Sequence, residues 1–100
     1  MKKSPDYKFR QTSAKLRLDQ FNYFGYSFCE QCGITTKMLD VHHIVFRSEK
    51  PDHPMIHNER NLILVCRKCH NRFHDHKGFR NDLVLKRSLN DLFGDDILNK

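Results

Sequence analysis

Hydrophobic positions fall into three differently patterned stretches of this chain. From residue 12 to 24, Leu16, Phe21 and Phe24 recur at roughly helical spacing, Thr12 or Ser13 offers a capping hydroxyl and Gly25 a stop, which predicts a helix over 12–24. Residues 1–11 are polar, with Pro5 and several charges, and read as a basic mobile arm. In the middle, Leu39 and Val41 alternate with Asp40, which predicts a short strand running into His42 and His43. Continued extension would send these two imidazoles to opposite sides, so the strand is expected to end here and let both approach one site. Asn61 opens a second apolar run, Leu62-Ile63-Leu64-Val65, and a helix is predicted from near Cys66. A seventeen-residue polar connection, 44–60, with Pro51 and Pro54, joins the strands; such long loops are usually functional or mobile. Near the end, Leu85, Leu89, Leu92 and Phe93 form one stripe between a capping Asn81 and Gly94, predicting an amphipathic helix over 81–93. The pattern is α+β: a strand–strand–helix core over 28–78 with flanking helices, in a single domain over 12–100.

Length and composition narrow the classes. One hundred residues hold one small domain, whose modest core would gain from a structural metal. No run of about 18 apolar residues is present, so no membrane span is predicted, and the first residues lack the apolar stretch of a secretory signal. A cytosolic protein is expected, in which thiols stay reduced and paired CxxC motifs favour metal over disulfide. The net charge is +6, concentrated in the first 80 residues, whereas 81–100 carry three basic and four acidic side chains. A basic front and middle suit a polyanion such as nucleic acid, although many small soluble proteins are also basic.

All four cysteines stand in two knuckles, Cys29-x-x-Cys32 and Cys66-x-x-Cys69, separated by thirty-three residues. Together they offer the tetrahedral S4 set that zinc prefers, and Gly33 supplies the turn after the first knuckle. Two redox pairs or four free thiols are the alternatives, but a thioredoxin-like motif needs a βαβ setting that this pattern lacks. Such a zinc has no open position, so it would hold the fold and do no chemistry.

Of the seven histidines, His53, His57 and His76 read as ordinary structural or surface residues. His42 and His43 are adjacent, whereas His70 and His74 are four apart and share one helix face. A histidine pair at a strand end, Asn61 before the second strand, histidines on the next helix and two zinc knuckles resemble the HNH endonucleases, the ββα-metal (His-Me finger) family. The resemblance covers roughly Cys29 to His76. It implies a metal-dependent endonuclease that hydrolyses DNA phosphodiester bonds by nicking or double-strand cleavage. It implies His43 as the general base, and Asn61 as the residue that ties down the loop after the first strand and so fixes His43. One divalent cation would be held by His42, His70 and His74, with structural zinc on Cys29, Cys32, Cys66 and Cys69. His70, next to Cys69, has a surface role as its alternative, and Asp40 is a candidate to orient a histidine. Where relatives carry aspartate before the base, this chain has His42. An all-imidazole set is softer and is expected to favour Mn²⁺, Ni²⁺, Co²⁺ or Zn²⁺ over Mg²⁺. Arg47, Arg67, Lys68 and Arg72 are candidates for DNA phosphate contacts, which position without reading sequence. Small stand-alone members of this family are often phage-encoded, which would put the protein in a host cytoplasm. The reading from a different class is a zinc-stabilised DNA-binding module without nuclease activity.

Overall fold

The computed structural model describes residues 7–75, 77–94, 96 and 97 (77–79 in their backbone only). Helix α1 spans Tyr7–Phe24, strand β1 Asp40–His43 and strand β2 Leu62–Val65, with a 3-10 turn at Glu59–Asn61 entering β2. Helices α2 (Arg67–Asp75), α3 (Lys77–Lys86) and α4 (Asn90–Phe93) follow. The strands pair antiparallel, His42 opposite Ile63 and His43 opposite Leu62, and α2 packs on the pair, so the architecture is α+β with a ββα centre. Every residue of β2 is buried, which explains why its sequence is an unbroken apolar run without alternation. Leu39, Ile44, Val45, Ile56, Phe73, Val84, Leu89, Phe93 and Ile97 complete the core around it. Among the described residues, no helix is long and apolar enough to cross a membrane.

The first knuckle is built as a tight turn joined to the sheet. Phe28 and Thr35 form an antiparallel bridge, and Gly33, at φ 82°, turns the chain so that its N–H reaches Cys29 O at 2.8 Å. Glu30 N then donates to Leu64 O (2.8 Å), while the Glu30 carboxylate accepts from Leu64 N (2.7 Å). The backbone of β2 is therefore bonded to β1 on one side and to Glu30 on the other.

The flanking elements depart from the sequence pattern in four ways. Helix α1 starts at Tyr7, so 7–11 of the expected arm are helical, while 1–6 lie outside the described residues. Thr12 is no cap, because its hydroxyl donates to Lys8 O inside the helix. The expected stripe is only partly buried: Leu16 meets the core, but Phe21 and Phe24 are each 49% exposed. Polar anchors dock α1 instead: the Gln20 amide exchanges two hydrogen bonds with the Phe28 backbone and Arg17 donates to Leu39 O. Finally, the expected 81–93 helix is two helices. Asn81 lies inside α3, and the chain breaks before α4 at Ser88, whose φ is +53°. The cause is Arg87, whose guanidinium reaches across to Leu62 O (2.6 Å) and Arg60 O (3.1 Å), while Arg60 donates back to Arg87 O. These long-range bonds override the local helical periodicity.

Candidate active site and metal centres

The two knuckles meet although thirty-three residues separate them, because Glu30 is bonded to β2 and β2 runs directly into Cys66. The four sulfurs all lie within 4.8 Å of one another, with Cys32 Sγ 3.8 Å from Cys66 Sγ. A tetrahedron with Zn–S bonds of about 2.3 Å has edges of about 3.8 Å, so the spacing fits one four-coordinate ion. The thiols also behave as a group. Burial pushes Cys29 up, but N–H groups of Cys32, Cys66 and Gln31 more than offset it and bring the thiol down to about 7. Burial and then the neighbouring thiols push Cys69 up. Four thiolates need a cation among them to coexist here.

The histidine cluster follows from two periodicities. Asp40 and His42, two apart on β1, share the face that meets α2, while His70 and His74, four apart, share the α2 face that meets β1. The ligand nitrogens of His42, His70 and His74 lie within 4.8 Å of one another, and His42 Nε2 is buried without a hydrogen-bond partner among the described residues. An orphaned buried acceptor aimed among two other imidazoles fits a divalent cation. Phe73 lies flat against His42 (5.1 Å between centroids) and Phe46 against His74 (5.1 Å), which fixes both rings. Asp40 Oδ2 sits 2.9 Å from His70 Nδ1, so His70 presents Nε2 to the cluster. The same carboxylate receives Arg67 Nε at 3.0 Å.

His43 takes the opposite face, because β1 does not end at His42 but continues through His43. This corrects the expectation that the strand stops to let the pair converge; the two rings diverge, and yet both border one cavity of about 390 Å³ that His70 and His74 also line. Phe9 of α1 stacks on His43 at 4.9 Å, and His43 Nε2 lies 3.0 Å from His57 Nδ1. Asn61 is fully buried. Its Oδ1 accepts from Val45 N (2.7 Å) and its Nδ2 donates to Val45 O (3.1 Å) and Ile56 O (2.9 Å). The 3-10 turn delivers this side chain to Val45 and Ile56 of the 44–60 connection at once.

Residues 29–76 match the model of the HNH endonuclease family. The chain carries an HNH endonuclease domain. The match spans both knuckles, both strands and α2. HNH domains are metal-binding modules of nuclease type, in keeping with the two ligand clusters found here. No curated protein and no solved structure matches the sequence.

The basic residues around the HNH core divide by position. Arg47 lines the histidine cavity, Arg67 is held by Asp40, and Lys68 and Arg72 are exposed on α2. Sequence reasoning passed over Arg10 and Arg17, which border a second recess of about 490 Å³ with Arg67 and His70. Their signal was present, since Arg10 and Arg17 are seven apart and positions at that spacing share a helix face. It also assigned His57 a bystander's role, although His57 is buried against His43. The His53 ring lies tilted against Phe93, with 4.6 Å between centroids, and His76 lies outside the described residues.

Burial, followed by the nearby His70, His74 and His43 and opposed by Asp40, pushes His42 down to about 3. The unfolded chain would take up this proton near the ordinary 6.5, whereas the folded chain resists it until about 3. Stability is therefore full above 6.5 and declines as the pH falls through that window. Each pH unit in it shifts the folding equilibrium by up to about tenfold on account of this group. Urea midpoints at pH 7 and 5.5, with the histidine site stripped of metal, should fall more for wild type than for His42→Gln. Equal falls would show that His42 keeps an ordinary proton affinity.

Proposed function

We propose that this chain is a metal-dependent endonuclease that hydrolyses DNA phosphodiester bonds. The observation that carries the reading is the single cavity bordered by His43 and by the three-imidazole cluster with its orphaned His42 Nε2. His43 takes a proton from water as general base; an imidazole is neutral near physiological pH and suits that task. The water oxygen forms a bond to phosphorus as the bond to the 3′-oxygen breaks, and the departing oxygen is reprotonated from solvent. His42, His70 and His74 hold a divalent cation, whose chemistry when bound is to neutralise charge on the phosphate and on the departing oxygen. Asn61 fixes the loop after β1 and with it the backbone beside His43. Arg47, Arg67, Lys68 and Arg72, joined by Arg10 and Arg17, supply contacts to flanking phosphates. Zinc on the four cysteines maintains the fold.

Supercoiled plasmid incubated with Mg²⁺, Mn²⁺, Ni²⁺ or Co²⁺ at matched concentrations tests this. Nicked or linear product is expected, more with the borderline cations than with Mg²⁺, because three neutral imidazoles offer a hard ion little over its hydration shell. His43→Ala should keep the fold and lose about 10²-fold or more of the cleavage. DNA retention without cleavage by any metal would favour the inactive binding module instead.

A further inference from the structure

The buried pair His43–His57 is left unexplained by the cation site. We propose that His57 is a positioning residue: its Nδ1 accepts the His43 Nε2–H, which leaves the His43 lone pair on Nδ1 for the attacking water. The inference rests on the reading of His43 as the base and deepens it.

Two ring nitrogens 3.0 Å apart need one proton between them, since two protons would clash and two lone pairs would repel. The direction of that bond decides whether His43 can work. With the proton on His43 Nε2, the base keeps its lone pair on Nδ1. With the proton on His57 Nδ1, the only His43 lone pair is consumed by the bond, and His43 can accept nothing. The Nε2–H form is the more stable tautomer of a neutral histidine side chain. Both rings hold that form only in the first arrangement; the second forces both into the Nδ1–H form.

The surroundings keep the bond in place. Both rings are buried, and Phe9 covers them, its centroid 4.9 Å from His43 and 5.6 Å from His57. Water, which would scramble the tautomers, is thereby kept from the contact. Asn61 bonds to Val45, two residues after His43, and to Ile56, the residue before His57. One amide thus sets the distance between the two histidines. When water gives up its proton, that proton goes to His43 Nδ1, and the Nε2–H bond to His57 becomes charge-assisted, which stabilises the imidazolium. The logic is that of a base oriented by a third group, with a neutral imidazole in place of a carboxylate.

Three variants in the zinc-loaded full chain test the proposal on a duplex oligonucleotide: His57→Phe, which keeps bulk, His57→Asn, whose Oδ1 stands about where Nδ1 does, and His43→Ala. The expectation for His57→Phe is a kcat lowered by about 10²-fold with KM unchanged. His57→Asn should recover most of the loss. The ¹⁵N spectrum of the wild-type His43 ring should show the proton on Nε2. Wild-type kcat in His57→Phe, no recovery in His57→Asn, or a proton on His43 Nδ1 would each overturn the proposal. Should His57→Phe fail to fold, the ¹⁵N spectrum of wild type decides. Full cleavage by His43→Ala would remove the base assignment itself, whereas an inert His43→Ala beside a fully active His57→Phe would remove only the role of His57.

Discussion

A Cys69→Ser chain is expected to lose its fold. Cys69 is buried at the junction of β2 and α2, and its sulfur is one of four that all lie within 4.8 Å of one another. Serine oxygen replaces a thiolate in an S4 set, and the remaining thiols hold zinc poorly. Structural zinc contributes about 10–16 kcal/mol of apparent binding energy in small zinc-finger peptides, and a whole domain is stable by about 5–15 kcal/mol. The loss of one ligand therefore threatens the entire margin. The damage would reach the histidine site, because Cys66 and Cys69 flank the start of the helix that carries His70 and His74. Wild type should retain about one zinc per chain through mild chelation and show a cooperative thermal transition. Cys69→Ser should show neither, and a folded, metal-free Cys69→Ser protein would exclude a structural zinc.

Asn61→Ala is expected to cost both stability and activity. The substitution strands Val45 N, Val45 O and Ile56 O in a buried setting, at about 1–3 kcal/mol for each group left unsatisfied. With partial relaxation, a total of about 3–6 kcal/mol is expected. Activity should fall by about 10²-fold or more even below the melting temperature, since a shift near 1 Å in the loop disturbs the alignment of His43. Asn61→Asp sharpens the test: it keeps the shape and the acceptor but turns a carboxylate oxygen toward two carbonyls. At neutral pH it should be at least as destabilising as alanine, because an unpaired buried charge costs several kcal/mol. Denaturant titrations of the three proteins check the order. An Asn61→Asp chain as stable as wild type would show that the amide does not hold the loop.

That the four cysteines, and three of the histidines, would gather was legible because the geometry within each group is local. His70 and His74 are joined by the helical repeat, each cysteine pair by its knuckle, and Asp40 and His42 by the strand repeat. The apolar run 62–65 likewise announced a buried strand. His57 was not legible, because it stands in a connection with no periodicity, and its meeting with His43 depends on two backbone carbonyls that Asn61 gathers. The placement of His42 and His43 on opposite faces was not legible either: the strand was expected to end at the pair, but pairing with Leu62 extends it through His43. The break between α3 and α4 was invisible for a similar reason, since Arg87 answers to Leu62 and Arg60 and not to its helical neighbours. Nor does the face of α1 follow its periodicity: Gln20 is the buried residue of that helix, held by Phe28.

The bonds on the outer side of β2 have a consequence for the life of the protein in a crowded solution. A two-stranded sheet normally offers its outer backbone as a template for another chain. Here Glu30 takes both the N–H and the carbonyl of Leu64, and Arg87 takes the carbonyl of Leu62, with the two side chains themselves 3.6 Å apart. The strand with the most apolar sequence in the molecule thus has its rim closed by a charged pair. This guards it against edge-to-edge association and aggregation, a safeguard that the hydrophobic pattern of 62–65 makes necessary and cannot itself provide.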